Sequence, residues 1–202
     1  MGLSRRFGLA LGVGCMAPRL AVAHAEQPPA PHDFWTAWTF DPVVLAGMLL
    51  LGGMYGVGLG RMWRRAGLGH GVPAWRLACF AGGMLALGLA LIWPLDALGD
   101  SLFAAHMGQH LVLMLVVAPL LIVAAPLAPA LHALPPRWRR VVLGPARADW
   151  SRRAGQWLVA PGAATVLQLL ALYAWHTPVA SAVAVEDDFV HFLMHASLLG
   201  SA

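Results

Sequence analysis

Long apolar stretches separated by short polar segments dominate the sequence. Runs near the length that a helix needs to cross a bilayer, about 17 to 25 residues, occupy 43–60, 77–95, 102–126 and 157–176. A fifth run, 189–202, has only 14 residues. At about 1.5 Å per residue it is too short to span, so we expect the chain to be truncated there. The pattern predicts an all-α, polytopic transmembrane helix bundle with about five spans, the last one incomplete.

The first 25 residues have the layout of a secretory signal peptide. Arg5 and Arg6 form a basic start, residues 7–17 are apolar but too short to span, and Ala23 and Ala25 suit a cleavage site. We therefore expect a signal peptide over 1–25 and a single transmembrane helical domain over 26–202.

The distribution of charged residues predicts how the chain is oriented in the membrane. Only 11% of the 202 residues are charged, against about 25% in soluble domains, which excludes a soluble protein. Beyond the signal, arginines occur only in 61–76 and 137–153, whereas 26–41, 96–100 and 186–188 carry acidic residues and no arginine. The positive-inside rule predicts a bacterial inner-membrane protein, multi-pass in the lipid bilayer, with its mature N-terminus outside. Since topology explains the arginines, we expect no nucleic-acid partner.

Familiar enzyme motifs are absent from the sequence. Cys15 and Cys79 form no CxxC pair, and there is neither a GxSxG elbow nor a phosphate-binding loop. The stretch from His106 to His110 lacks the glutamate that follows the first histidine of a zinc-protease helix. We therefore expect no enzymatic activity.

Histidines from three spans are predicted to share one layer near the outer face. His106 and His110 lie four residues apart and so share a helix face, as do His191 and His195. His176 lies where the fourth span ends, at the same depth. Methionines accompany both pairs. The candidate metal ligands are His106, His110, His176, His191, His195, Met107, Met114 and Met194.

Ionisable side chains inside a bilayer are costly and usually mark a site or a pathway. Imidazole beside thioether suits copper, with thioether favouring Cu(I). A bis-histidine haem, a copper channel, a proton pathway and plain structural hydrogen bonding remain alternatives. Asp96 and Asp100 could attract cations, but ordinary loop solvation, or a helix N-cap for Asp100, is the preferred interpretation.

Two local features bear on helix packing. Gly52, Gly56 and Gly60 repeat every four residues, which would let another helix approach closely. Pro119 lies in the middle of the third span, where it is expected to produce a kink.

Three segments resemble one known family. Ala105 to His110 followed by Pro119, Trp175 to Pro178, and His191 to His195 are similar to segments of the CtaG-type membrane assembly proteins of cytochrome c oxidase, over about residues 35–202. The resemblance implies an assembly factor that handles copper, with oxidase subunits or a periplasmic copper chaperone as partners. Members usually have more spans than the five predicted here. The similarly named chaperone with a soluble domain and a Cys-x-Cys site is a different protein.

Overall fold

All regular structure in the described part of the chain is helical. The computed structural model describes residues 35–99, 101–146 and 148–202, and no strand occurs within these ranges. The expected all-α helix bundle is confirmed. The expected signal peptide, 1–25, and Asp100 lie outside the described residues.

The described residues form eleven α-helices and one π-helical segment. In chain order they are α1 (Pro42–Ala66), α2 (Ala74–Leu91), α3 (Leu95–Gly99), α4 (Phe103–Val112), the π segment (Leu113–Val117), α5 (Ala118–Ala124), α6 (Leu127–Ala133), α7 (Pro136–Ala146), α8 (Asp149–Leu158), α9 (Pro161–Trp175), α10 (Pro178–Glu186) and α11 (Asp188–Ser201).

Three helical units are long and apolar enough to cross a membrane. They are Pro42–Ala66, Ala74–Gly99 and Phe103–Ala124, and they cover most of the first three predicted spans. The predicted span 157–176 is divided between α8 and α9, which bend by 69° at the break before Pro161 and could count as a fourth crossing together. Large apolar side chains on these helices, such as Leu49, are exposed, as expected for surfaces in contact with lipid.

The third unit is widened where a kink was expected. Pro119 lacks a backbone N–H, and its ring would clash with the carbonyl of Leu115 in a regular α-helix. The chain adopts the π segment, Leu113–Val117, immediately before this position. Such a wider turn is one of the recognised ways in which a helix accommodates an interruption.

Close packing of α1 depends on a different glycine from those expected. A Cβ added at Gly58 would overlap the carbonyl oxygen of Pro129 in α6, so only glycine permits this contact. By contrast, a Cβ at Gly56 or Gly60 would meet nothing within 4 Å, and one at Gly52 would meet only the end of a methionine side chain. The four-residue glycine repeat is therefore not the packing face, because α6 lies on another side of α1.

Helix α11 packs against the π segment, α9 and α10. Met194 and Leu198 are buried together with Ala184 of α10, and Trp175 packs against them. The Trp175 indole Nε1 donates a hydrogen bond to Ser197 Oγ (2.7 Å). These contacts fix the face of α11 that is turned towards α4. Helix α10 lies between the fourth and fifth predicted spans, where the sequence analysis predicted no helix.

Candidate metal centre

Five histidines meet at one end of the bundle, which we call the histidine end. His106 and His110 lie in α4, whose first residue is Phe103, and His191 and His195 lie near the start of α11. His176 immediately follows the last residue of α9. The structure therefore brings together all five histidines that the sequence singled out.

The rings are close enough to form a single group. Ring centres are 4.5 Å apart within each pair, His106 with His110 and His191 with His195. Between helices, His106 lies 5.6 Å from His191 and 6.2 Å from His195, and His110 lies 5.2 Å from His195. His176 is peripheral, with its ring centre 5.9 Å from that of His110.

These separations match those of imidazoles that share one ion. A nitrogen about 2.0–2.1 Å from a metal places the ring centre about 3.2 Å from it, so two such rings have centres about 4.5–6.4 Å apart. In the conformation seen, however, no group of three His, Cys, Asp or Glu side chains within the described residues has the arrangement of a metal site. The ring spacing fits, and the rings would have to rotate for their nitrogens to converge.

Several ring nitrogens at the histidine end are buried without a partner. His110 is 3% exposed and His195 is 7% exposed. Both nitrogens of His110, and Nε2 of His191 and of His195, form no hydrogen bond with any described residue. Burying a polar atom without a hydrogen bond is unfavourable. A cation bound by these nitrogens would satisfy them. Their lack of hydrogen-bond partners is therefore the observation that best supports a metal at this site.

His176 is held by its own helix. Its Nδ1 donates a hydrogen bond to the carbonyl oxygen of Leu172 (2.7 Å). In neutral imidazole this leaves Nε2 as the nitrogen that can bind a metal. His176 is exposed, and it is close only to His110 among the other histidines. It is thus an additional ligand at most, on the rim of the group.

The three candidate methionines are placed less favourably than the histidines. The sulfur of Met114 accepts a hydrogen bond from Gln168 Nε2 (2.6 Å) and packs beside the apolar cluster that holds Met194. Met194 itself is 4% exposed within that cluster. Met107 follows His106 directly, so it projects from α4 about 100° away from it. The structure thus places Met114 and Met194 in a packed apolar cluster.

Sequence reasoning missed Gln109 and undervalued Asp96. Gln109 is 1% exposed, and its Nε2 donates hydrogen bonds to the carbonyl oxygen of Ala90 (2.9 Å) and to Asp96 Oδ1 (3.1 Å). Ordinary loop solvation is therefore the wrong interpretation of Asp96, because its carboxylate is held by a buried side chain. The available signal was an amide between two histidines in an otherwise apolar helix.

Comparison with known proteins identifies relatives over most of the chain. The model of the family described as cytochrome c oxidase caa3 assembly factor (Caa3_CtaG) matches residues 53–202. An uncharacterized protein of Mycobacterium leprae is 34% identical over 108 residues, which are 54% of this chain and 16% of that protein. Uncharacterized proteins of Mycobacterium bovis and Mycobacterium tuberculosis are each 30% identical over 133 residues, 66% of this chain and 19% of theirs. The chain thus spans less than a fifth of the length of these relatives. No solved structure matches it.

Proposed function

Because the chain belongs to the family of cytochrome c oxidase caa3 assembly factors, we propose that it binds copper at its histidine end and makes the ion available during assembly of the oxidase. It acts as a binding and delivery protein without a reaction of its own. Its partners are oxidase subunits or a periplasmic copper chaperone.

One observation carries this proposal. Four imidazoles from two helices, those of His106, His110, His191 and His195, lie at separations suited to one ion, and buried nitrogens among them have no partner in the described chain. Imidazole binds copper, and a neighbouring thioether would favour Cu(I) if the side chains rearranged. His176 would be a fifth ligand or a supporting group. Met107, Met114 and Met194 would act as transient soft ligands.

A haem bound between two histidines fits less well. Two axial imidazoles hold their ring centres about 6.4 Å apart, with the macrocycle in the plane between them. Two of the pairs that join α4 to α11, at 5.2 and 5.6 Å, are closer than this, and the third, His106 with His195 at 6.2 Å, is near it. In every one of these pairs, however, each ring has another histidine ring 4.5 Å away, which occupies space that a macrocycle would need. An absorption spectrum separates the alternatives, since a Soret band indicates haem. A copper channel would instead carry copper into liposomes.

The proposal is tested in cells at limiting copper. His110→Ala and His195→Ala should each lower oxidase activity and the copper content of the purified factor, because removing one of four ligands weakens metal retention. Copper added to the medium should partly restore activity, since mass action offsets weaker binding. His132→Ala is the matched control: His132 is exposed on α6, away from the histidine end, and should leave both measurements unchanged.

The outcome that rejects the proposal is equally clear. If His110→Ala and His195→Ala keep full oxidase activity at limiting copper, with normal amounts of the factor in the membrane, the histidines are structural. Loss of activity that added copper cannot restore, with copper content unchanged, would indicate a role in assembly other than metal delivery.

We further propose that the histidine end faces the outside of a bacterial inner membrane. The acidic segments near Asp96 and Glu186 lie at this end. The segments that contain Arg64 and Arg153 carry the arginines, which the positive-inside rule predicts to be cytoplasmic. Cysteines placed at the exposed positions Leu102 or Glu186 should react with an impermeant thiol reagent in intact cells, and cysteines at Arg64 or Arg153 should not. The reverse labelling would place the site on the cytoplasmic side and exclude delivery to the outside.

A further inference from the structure

A cavity beside the histidine end borders the packed centre of the bundle. It has a volume of about 920 Å³ and lies between the first half of α1 and α11. Its walls include apolar side chains such as Met48, Leu51, Leu87 and Leu199. Asp96, His191 and His195 also line it. A largely apolar space therefore leads to two of the candidate ligands, and three carboxylates line it.

Both histidines that line this wall have a ring nitrogen without a hydrogen-bond partner in the described chain. His195 is 7% exposed, and its Nε2 has no hydrogen-bond partner in the described chain; the same holds for Nε2 of His191. The cavity thus reaches both candidate ligands on α11, and their rings would have to turn for the buried Nε2 atoms to meet an ion in it. It is thus more than an apolar gap between helices.

Asp96 is the half-buried carboxylate in this wall that does not cap a helix. Asp41 also lines the cavity, but its Oδ1 accepts hydrogen bonds from the N–H groups of Val43 and Val44 and caps α1. Asp188, in the first turn of α11, is exposed, so solvent and salt screen its charge more than that of Asp96.

Asp96 is held in position by the helix that carries two of the histidines. Gln109, between His106 and His110, donates its hydrogen bond to Asp96 Oδ1. Gly99 of α3 lies close to the same helix, since a Cβ there would be in van der Waals contact with Gln109 Oε1 (3.4 Å) and the Cα of His106 (3.6 Å). The close approach of α3 to α4 thus fixes the carboxylate beside the histidine group.

We propose that this cavity is the route by which copper reaches the histidines, and that Asp96 is the carboxylate that first attracts the ion. The proposal rests on the copper-binding function proposed above. A negative charge in a cleft with apolar walls raises the local concentration and the association rate of a cation. Because a carboxylate oxygen is a poor ligand for Cu(I), the ion passes on to the imidazoles. Asp96 is therefore a positioning residue for loading, and the histidines hold the metal.

The test measures copper loading of the purified full chain in detergent. Ascorbate-reduced Cu(I), buffered by a chromogenic chelator, is the probe, and its transfer to the protein gives both a rate and an equilibrium affinity. Asp96→Asn removes the charge but keeps an acceptor for Gln109. Gly47→Trp fills the cavity from α1, where a Cβ meets nothing within 4 Å. Asp96→Glu keeps the charge, and Glu186→Gln removes an exposed acidic group that does not line the cavity.

Loading by Asp96→Asn and by Gly47→Trp should each be slower by about tenfold, with a much smaller change in affinity. Asp96→Glu and Glu186→Gln should load within about twofold of the wild-type rate, since an exposed charge is screened by salt. Wild-type loading rates in both Asp96→Asn and Gly47→Trp would overturn the proposed route but not the copper-binding function. An affinity loss as large as the rate change in Asp96→Asn would make Asp96 a ligand and also overturn it. A wild-type chain that binds no Cu(I) would overturn the copper function together with the route.

Discussion

Replacing His110 by leucine should make the metal-free protein more stable and the copper-loaded protein less stable. His110 is 3% exposed, and both of its ring nitrogens are without a hydrogen-bond partner in the described chain. Each such buried atom costs about 1–3 kcal/mol. Leucine is close to histidine in size, and a swap that conserves volume costs less than about 1.5 kcal/mol. With about 1.5 kcal/mol for each of the two nitrogens, less up to about 1.5 kcal/mol for the swap, the expected net gain in the free energy of unfolding is about 1.5–3 kcal/mol.

The gain is large enough to measure. In a chain of this length, 1 kcal/mol shifts Tm by about 2–4 °C, so metal-free His110→Leu should melt roughly 3–12 °C above the wild type. Copper should reverse the order. Free copper at about a thousand times its Kd stabilises the wild type by about 4 kcal/mol, which exceeds the gain of the variant. The variant, lacking a central ligand, should show little copper-dependent shift.

The assay is thermal unfolding in detergent, followed by tryptophan fluorescence, with and without buffered Cu(I). His132→Leu is the control: its ring is exposed and its Nδ1 already donates to the carbonyl oxygen of Ala128 (2.8 Å), so Tm should hardly change in either condition. A metal-free His110→Leu protein that melts clearly below the wild type would mean that the imidazole stabilises the fold. A variant that retains the full copper shift would refute the argument that His110 binds the metal.

Two other predictions test the ligand ranking and the helix packing. His195→Ala should weaken copper affinity by more than about a hundredfold. His176 lies on the rim, so His176→Ala should weaken it by about 10–100-fold, as loss of a supporting group does. Titration with a competing chelator compares the two variants, and equal losses would contradict the peripheral place of His176. Gly58→Ala should lower the free energy of unfolding by about 1–3 kcal/mol, because its methyl group overlaps the Pro129 carbonyl. The methyl group of Gly56→Ala meets nothing within 4 Å, so this control should not destabilise the protein. Similar melting temperatures for the two variants would show that α1 and α6 do not pack closely.

The helical character and the histidine pairs could be predicted because both depend on local spacing. Apolar runs of spanning length can satisfy their backbone groups only as helices in lipid. Residues four apart, such as His106 and His110, must share a helix face whatever surrounds them. The approach of the two pairs followed from one further inference, that α4 and α11 both begin at the same end of the bundle.

What could not be predicted depends on contacts between distant segments. Gly58 packs against α6 because α6 returns alongside α1, and no periodicity in the sequence encodes that return. The bond from Gln109 to Asp96 requires α3 to fold against α4, so Asp96 looked like an ordinary loop residue. The methionines lie near the histidine pairs in the sequence, yet Met114 and Met194 belong to apolar packing that only the tertiary structure defines.

The most direct test of the account is X-ray absorption spectroscopy on the purified full chain loaded with copper, with metal analysis of the same sample. The account predicts stoichiometric copper with three or four imidazole nitrogens at about 2.0–2.1 Å. It also predicts that His110→Ala and His195→Ala each lose an imidazole from the coordination shell. A chain that retains no stoichiometric copper, or copper bound without imidazole, would contradict the claim that the five histidines form a copper site.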